Sequence, residues 1–420
     1  MHTNSVRHNF QPVLLFVVLL IGLAMYLSLA GIILLSSALG LVVPQSGAGS
    51  SIGTNFIIAS GLGFCAVSML PAVIYSYQWM RGKSIQPFQT KPVRVWQAVA
   101  LGAGWIGAVL LSDYLYQNFS LGWLVAAPFY IISIGLPLFL LVWIGVGGIP
   151  LGSRNRFCGS LGIGMTVGPF LATLVEFFVY LGVIVILIFI FMLNPNWQAT
   201  LQQVIAQIHT VTDIDGVMQI LAPYLSSPLV LISLFLVLGL FTPLIEETIK
   251  PVIVWLLAKR LQGPSQGFAL GVVSGAGFAL VESLLASSTP GPGWGQLLVV
   301  RAGGGLMHIF ASGLMGWGIS SAWQGKSLRL LGTYILSVMV HGLWNSAAII
   351  IELGSLQPYL NKSVSSKSLD SFSLAGTIVL GLLVLLTLSA LILINRKMRR
   401  PAMVIIGSTV QSDIIPPPKQ

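Results

Sequence analysis

The sequence predicts an all-α protein, a polytopic bundle of about ten transmembrane helices with both termini cytoplasmic. Of its 420 residues, 55% are apolar and only 7% are charged, whereas an ordinary soluble domain is about 25% charged. The apolar residues gather in ten runs, and the basic residues gather on one side of those runs. A soluble globule would lack a polar surface, and a disordered chain would not carry so much apolar mass. Lipid is therefore the predicted solvent.

Each apolar run is close to the roughly 20 residues that a helix needs to cross a bilayer. Helices are the economical way for such segments to satisfy their backbone groups in lipid. The third run is short, and the fifth is long enough to tilt strongly. The predicted spans are 13–37, 55–77, 96–112, 121–145, 161–193, 229–257, 266–288, 298–323, 330–351 and 373–394.

The Lys and Arg residues predict the orientation of these spans. Sixteen of the 20 precede the first span or follow an even-numbered span, and the opposite connections hold only Lys362 and Lys367. Cytoplasmic loops carry the Lys/Arg excess, so both termini are predicted to be cytoplasmic. The net charge of +10 then reflects orientation in the lipid bilayer and indicates no nucleic-acid partner. The predicted location is the cell (cytoplasmic) membrane, with several passes.

The distribution of spans predicts four regions. The first holds five spans and an outward-facing segment, Trp197–Ile208, whose helical apolar spacing predicts an amphipathic helix on the membrane surface. The second holds the four spans that carry polar residues, and a single span and a basic, Pro-rich cytoplasmic tail follow. The regions are 1–228, 229–351, 352–395 and 396–420.

Ionisable side chains inside the spans are the candidate functional residues. Each costs roughly 3 kcal/mol or more at the centre of a transmembrane helix, so its presence indicates a role. Glu176 is predicted to be an inward-facing, protonated structural carboxyl. The others concentrate in spans six to nine, together with one asparagine. They are Glu246, Glu247, Lys250, Glu282, His308, His341 and Asn345.

The sixth span carries two adjacent glutamates, Glu246 and Glu247. They project about 100° apart, so both can border one cavity, and their repulsion keeps one protonated, as in a poised general base. Lys250 lies one turn beyond Glu246 and can balance the remaining charge. Pro243 and Pro251 bracket the segment and predict a kink. The alternative is a buried Glu–Lys pair that only fixes helix packing.

The ninth span carries His341 and Asn345, four residues apart and therefore on one face. Two such donors can hold a developing oxyanion, and the imidazole can also bind a metal. In the seventh span, Glu282 is either a third carboxylate of the same site or a partner for Arg301. The Gly-x3-Gly repeat that precedes Glu282 predicts a close helix-packing face.

These residues resemble a known pattern. Glu246-Glu247-Thr-Ile-Lys250 resembles the Glu-Glu-x-x-Lys motif of the PrsW family of intramembrane proteases, and His308 and His341-x-x-x-Asn345 follow in the family's order. The family is related to the CAAX-processing and bacteriocin-processing proteases, whose motif usually has Arg where Lys250 stands. The resemblance covers about 230–350. It implies that 229–351 is a catalytic core, an intramembrane endopeptidase that hydrolyses a peptide bond of a membrane-associated protein.

By this resemblance, Glu246 activates a water that His308 helps to bind, and Glu247 orients the site. His341 and Asn345 stabilise the oxyanion, with Lys250 and Glu282 in support. The family is often labelled metalloprotease, so Zn²⁺ held by His308, His341 and Glu246 is one interpretation. Water activation without metal is the other, because no His-Glu-x-x-His motif is present.

The implied partner is a membrane-protein substrate whose identity the sequence does not reveal. A proton- or cation-coupled transporter that uses the same Glu/His cluster is the alternative function, since intramembrane carboxylates and histidines also form proton relays. A catalytically inactive relative that acts as a membrane scaffold is a third interpretation.

Overall fold

The computed structural model describes residues 10–42, 49–83, 86–193, 195–211, 213–225, 227–355 and 366–399. Within these ranges most of the chain is helical. The helices are α1 (Phe10–Val42), α2 (Gly49–Met80), α3 (Val95–Asn118), α4 (Gly122–Val146), α5 (Arg154–Met165), α6 (Val167–Met192), α7 (Pro195–Ile208), α8 (Ile214–Leu225), α9 (Pro228–Leu236), α10 (Thr242–Ile249), α11 (Val252–Leu257), α12 (Pro264–Ala286), α13 (Trp294–Ala322), α14 (Ser327–Ser355) and α15 (Ser366–Arg399).

Ten helical segments of the described chain are long and apolar enough to cross a membrane. They run from Gln11–Leu39 to Ser371–Arg399 and coincide one by one with the ten predicted runs. The prediction of an all-α, polytopic transmembrane bundle is therefore confirmed, and the chain is a multi-pass membrane protein. The cytoplasmic location of the termini stays a prediction, and most of the predicted tail, 400–420, lies outside the described residues.

A small sheet accompanies the helices. Strand β1 (Pro87–Gln89) pairs antiparallel with β2 (Pro150–Ser153), and β2 leads directly into α5. Strands of three and four residues that contain proline are too short to show the alternation by which a sequence indicates a strand. The predicted amphipathic segment Trp197–Ile208 forms α7, while its position at the membrane surface stays a prediction.

The chain divides into two compact units. Unit 1 comprises 1–169, 250–334 and 387–420, and unit 2 comprises 170–249 and 335–386. The predicted division at 228, 351 and 395 follows the sequence pattern and stays a prediction.

The core of unit 1 is formed by α12 and α13. Nearly every side chain of α12 between Gln266 and Leu284 is buried, and the predicted glycine repeat lies against α13. A Cβ atom built on Gly267 or Gly271 would overlap the backbone carbonyl of Gly316 or Ser312, respectively. The predicted packing face is therefore confirmed, because the two backbones approach as closely as only glycine permits.

Unit 2 is built from α6 to α10 and from parts of α14 and α15. Its α6 exposes large apolar side chains, among them Phe177, Phe178 and Phe189. Such a surface is a liability in water and is ordinary in lipid. The same unit carries the Glu246–Glu247 pair on α10 and His341 on α14.

Candidate functional site

The two glutamates lie on an isolated short helix. Before α10, residues Val237–Phe241 form a π-helical turn in which the Thr242 N–H donates to the Val237 carbonyl. After α10 the helix stops at Ile249 and resumes at Val252. The predicted interruption at Pro251 is thus confirmed, because proline has no N–H to continue the ladder. π-Helical turns within longer helices occur often at functional sites.

The π-helical turn leaves one backbone carbonyl to be satisfied by a side chain. Leu238 would bond the N–H of residue 242 in an α-helix, but Thr242 bonds Val237, and Pro243 has no N–H to offer. The Asn345 Nδ2 atom donates to the Leu238 carbonyl at 2.8 Å. Close to it, a Cβ on Gly342 would overlap the Gly239 carbonyl, so α14 lies directly against the turn. Asn345 therefore fixes the backbone that carries the glutamates.

His341 bonds one glutamate and faces the other. Its Nδ1 lies 2.9 Å from Glu247 Oε1, and its Nε2 lies 3.8 Å from Glu246 Oε2. Glu247 is fully buried, and Glu246 and His341 are 7% and 2% exposed. If Glu247 is ionised it only accepts, so the proton between it and the imidazole belongs to Nδ1. In the neutral ring, Nε2 then presents a lone pair toward Glu246.

These three residues of unit 2 fit a divalent metal. One ligand atom from each of Glu246, Glu247 and His341 lies within 4.8 Å of the other two. Carboxylate oxygen and imidazole nitrogen are common zinc ligands, and three protein ligands are typical of a catalytic zinc. A histidine ligand usually donates its second ring N–H to a carboxylate, as His341 does to Glu247.

Sequence reasoning missed Tyr180. This residue lies on α6, and its hydroxyl is 2.6 Å from Thr242 Oγ1 at the start of α10. The hydroxyl also interacts electrostatically with Glu176 and Glu246. A tyrosine in an apolar span carries little cost and attracts no notice, whereas its helical spacing of four from Glu176 was a signal that could have been used. Glu176 is half-buried, and its predicted protonated state stays a prediction.

Unit 1 contains a second polar cluster, centred on His308. The His308 Nδ1 lies 2.5 Å from Lys250 Nζ, and its Nε2 lies 2.6 Å from Glu282 Oε2. Arg301 pairs with the other oxygen of Glu282 at 3.0 Å, and the Lys250 ammonium lies 4.9 Å from the centre of the Phe278 ring. A carboxylate only accepts, so Nε2 carries the proton and Nδ1 accepts from the lysine.

The second cluster answers the question about Glu282. It contacts Arg301 and His308 together, so the two predicted roles are combined in one side chain. Lys250 is fully buried, and its ammonium contacts a histidine 58 residues away. Unit 2 therefore brings together Glu246, Glu247 and His341, with Asn345 bonded to the turn before them. Unit 1 brings together Lys250, Glu282 and His308.

The bond from Asn345 predicts a stability effect. We expect Asn345→Ala to destabilise the protein by about 1–3 kcal/mol, because the partly buried Leu238 carbonyl loses its donor. The measurement is thermal unfolding of the purified protein in detergent. Asn118→Ala is the matched control, since Asn118 also donates to a backbone carbonyl, that of Tyr114, but at an exposed helix end. Unchanged unfolding of Asn345→Ala with reduced proteolysis would contradict this role and favour an oxyanion donor.

Comparison with known proteins identifies the region that contains these residues. Residues 171–365 match the PrsW family of intramembrane metalloproteases, which is a little under half of the chain. No curated protein and no solved structure matches it. The match begins in α6, ahead of the predicted range of about 230–350, and it includes Tyr180 and both glutamates. Residues 171–365 of this multi-pass membrane protein are therefore a PrsW-family intramembrane metalloprotease region, and the protein is a PrsW-like protease.

Proposed function

We propose that this protease hydrolyses a peptide bond of a membrane-associated protein with a water activated by Glu246. One observation carries the proposal: Glu246, Glu247 and His341 are buried together in a lipid-facing unit, where an ionisable group needs a functional reason. The family match makes hydrolysis a better account of this cluster than transport.

Each of the three side chains has a separate task in the proposal. Glu246 takes a proton from the water and later gives it to the leaving amine, the usual work of a buried general base. Glu247 accepts the Nδ1–H bond and holds the His341 ring in place. His341 then directs Nε2 toward Glu246. Asn345 keeps the predicted role of an oxyanion donor only through its second N–H, because the first is used on Leu238.

A divalent metal held by Glu246, His341 and Glu247 would supply a readily deprotonated water and polarise the scissile carbonyl. The tautomer supports this interpretation, because a neutral His341 with its proton on Nδ1 offers a lone pair at Nε2. Such a nitrogen is a ligand, and it is not an oxyanion donor unless the ring gains a second proton. Zn²⁺ is the metal we propose, because catalytic sites with imidazole and carboxylate ligands commonly hold it.

The family resemblance assigns His308 to binding or polarising the water. Lys250 and Glu282 occupy both of its ring nitrogens and so fix the orientation of the ring. A metal bond to His308 would require it to release one of them. We therefore propose Lys250 and Glu282 as positioning residues that act through His308.

The substrate class follows from the family, whose members act within membranes on membrane proteins. We propose the cell membrane as the location, with both termini cytoplasmic. The experiment that tests the function compares the membrane proteomes of cells with and without the protein. A membrane protein that is intact without the protease and cleaved with it supports the proposal, whereas proton-coupled solute flux in liposomes without any cleavage would overturn it.

Metal content tests the ligand assignment. We expect the purified protein to retain one divalent metal ion per chain and His341→Phe to lose it, because the variant removes a buried nitrogen ligand. The measurement is elemental analysis after gel filtration, together with chelator inhibition of cleavage. His209→Phe is the control, since His209 is exposed at the end of α7.

The same measurement includes His308→Phe. Loss of metal from that variant would add His308 to the ligands, as the sequence predicts. Cleavage that persists in metal-free, chelator-treated protein would contradict metal dependence while leaving Glu246 as the base.

A further inference from the structure

A partly open groove of about 600 Å³ lies in unit 1, apart from both polar clusters. Its walls are the first turns of α3, the last turns of α4 and the last turns of α15. The apolar lining includes Val95, Val99, Ile144 and Ile392. These side chains belong to candidate spans, so one end of the groove is continuous with lipid-facing helix surface.

The other end of the groove is basic. Arg396 and Arg399 both line it, three residues apart on α15 and therefore on neighbouring positions of one face. The Nε atom of Arg399 is buried and has no hydrogen-bond partner among the described residues. None of the residues that line the groove is acidic. The groove therefore presents two guanidinium groups without a neutralising carboxylate.

Local contacts hold this end of the groove in place. Asn395 donates through Nδ2 to the carbonyls of Gly145 at 2.8 Å and Gly147 at 3.2 Å, which fastens α15 to the end of α4. The Arg399 stem passes over Gly148, where a Cβ atom would lie 2.5 Å from Arg399 Cδ. Gly148 has a φ of +81°, a conformation that favours glycine. The arginine is thus laid along the groove by the backbone beneath it.

We propose that this groove binds an anionic phospholipid. The phosphate of the headgroup would lie at Arg396 and Arg399, because guanidinium groups bind phosphate through paired N–H donors. The acyl chains would lie against Val99 and the neighbouring aliphatic side chains. Basic pockets between transmembrane helices on the cytoplasmic side bind such headgroups. A free phosphate would leave the aliphatic walls uncovered, so the two ends together fit an amphiphile.

The test is native mass spectrometry of the full-length protein titrated with dioctanoyl phosphatidylglycerol and with dioctanoyl phosphatidylcholine. We expect the anionic lipid to bind more tightly. The double variant Arg396→Gln/Arg399→Gln should weaken its binding about 30-fold and leave phosphatidylcholine binding unchanged. The control double variant Lys83→Gln/Lys397→Gln removes the same charge from exposed residues that do not line the groove, and we expect it to bind as the wild type does.

A second variant keeps the proposal testable if the double variant fails to fold. Val99→Trp fills the apolar wall without changing charge, and we expect it to weaken binding of both lipids. Equal binding of the two lipids by the wild-type protein would overturn the proposal, as would unaltered binding by Val99→Trp. Glycerol 3-phosphate binding as tightly as the anionic lipid would show a soluble-phosphate site and would overturn it as well.

Discussion

Glu246→Gln is expected to reduce cleavage of a co-expressed single-span membrane protein by at least about 100-fold, the lower end of what general-base catalysis contributes. Glutamine has the shape of glutamate, so α10 and its contact with His341 should persist. It cannot take a proton from water, and as an amide it is also a poor metal ligand. The measurement is the ratio of cleaved to intact substrate, with protease abundance measured in the same membranes.

Two further variants sharpen that test. Glu352→Gln is the matched control, since Glu352 is exposed near the end of α14, and we expect full activity. Glu247→Gln should lose less activity than Glu246→Gln, because the carbonyl oxygen of the introduced amide can still accept the His341 Nδ1–H bond. Undiminished cleavage by Glu246→Gln in membranes with normal protease abundance would refute the assignment of the base.

Gly271→Leu should cost about 3 kcal/mol or more of stability, the upper end of overpacking penalties. The leucine Cβ would meet the Ser312 carbonyl, which belongs to a helix backbone and cannot rotate away. Because α12 and α13 form the core of unit 1, their separation would release most of the buried apolar area of that unit. We expect the apparent melting temperature in detergent to fall by about 5 °C or more.

Gly107→Leu is the control for this substitution. Gly107 lies in α3, also in unit 1, and a Cβ atom there meets nothing within 4 Å. Both variants exchange a helical glycine for leucine, so their difference reports the contact and not helix propensity. Equal melting of Gly271→Leu and the wild type would contradict the close approach of α12 and α13.

The ten spans and most candidate residues could be predicted because lipid simplifies the physics. A span must be apolar over a fixed length, and an ionisable residue inside it is costly enough to stand out. Glu246, Glu247 and His341 were found by that cost alone. Their contact, at 2.9 Å between His341 and Glu247, shows that residues 94 positions apart share one polar cluster.

The parts that escaped prediction depend on local backbone geometry. The argument that placed Lys250 one turn beyond Glu246 assumes an unbroken helix, whereas α10 ends at Ile249. Lys250 contacts His308, a distant residue that no spacing rule could select. Tyr180 escaped because a tyrosine in a span is ordinary. Asn345 was chosen as an oxyanion donor, and the unpaired carbonyl that it satisfies arises only from the π-helical turn.

The π-helical turn at Val237–Phe241 also has an evolutionary consequence. Such a turn accommodates one residue more than an α-helix would over the same length. Deleting any one residue there would restore a regular helix and rotate the glutamates by about 100° relative to α9. Leu238 and its neighbours can therefore vary in side chain, since it is the backbone carbonyl that Asn345 holds. In descendants that retain activity, the number of residues in this turn should be preserved more strictly than their identity.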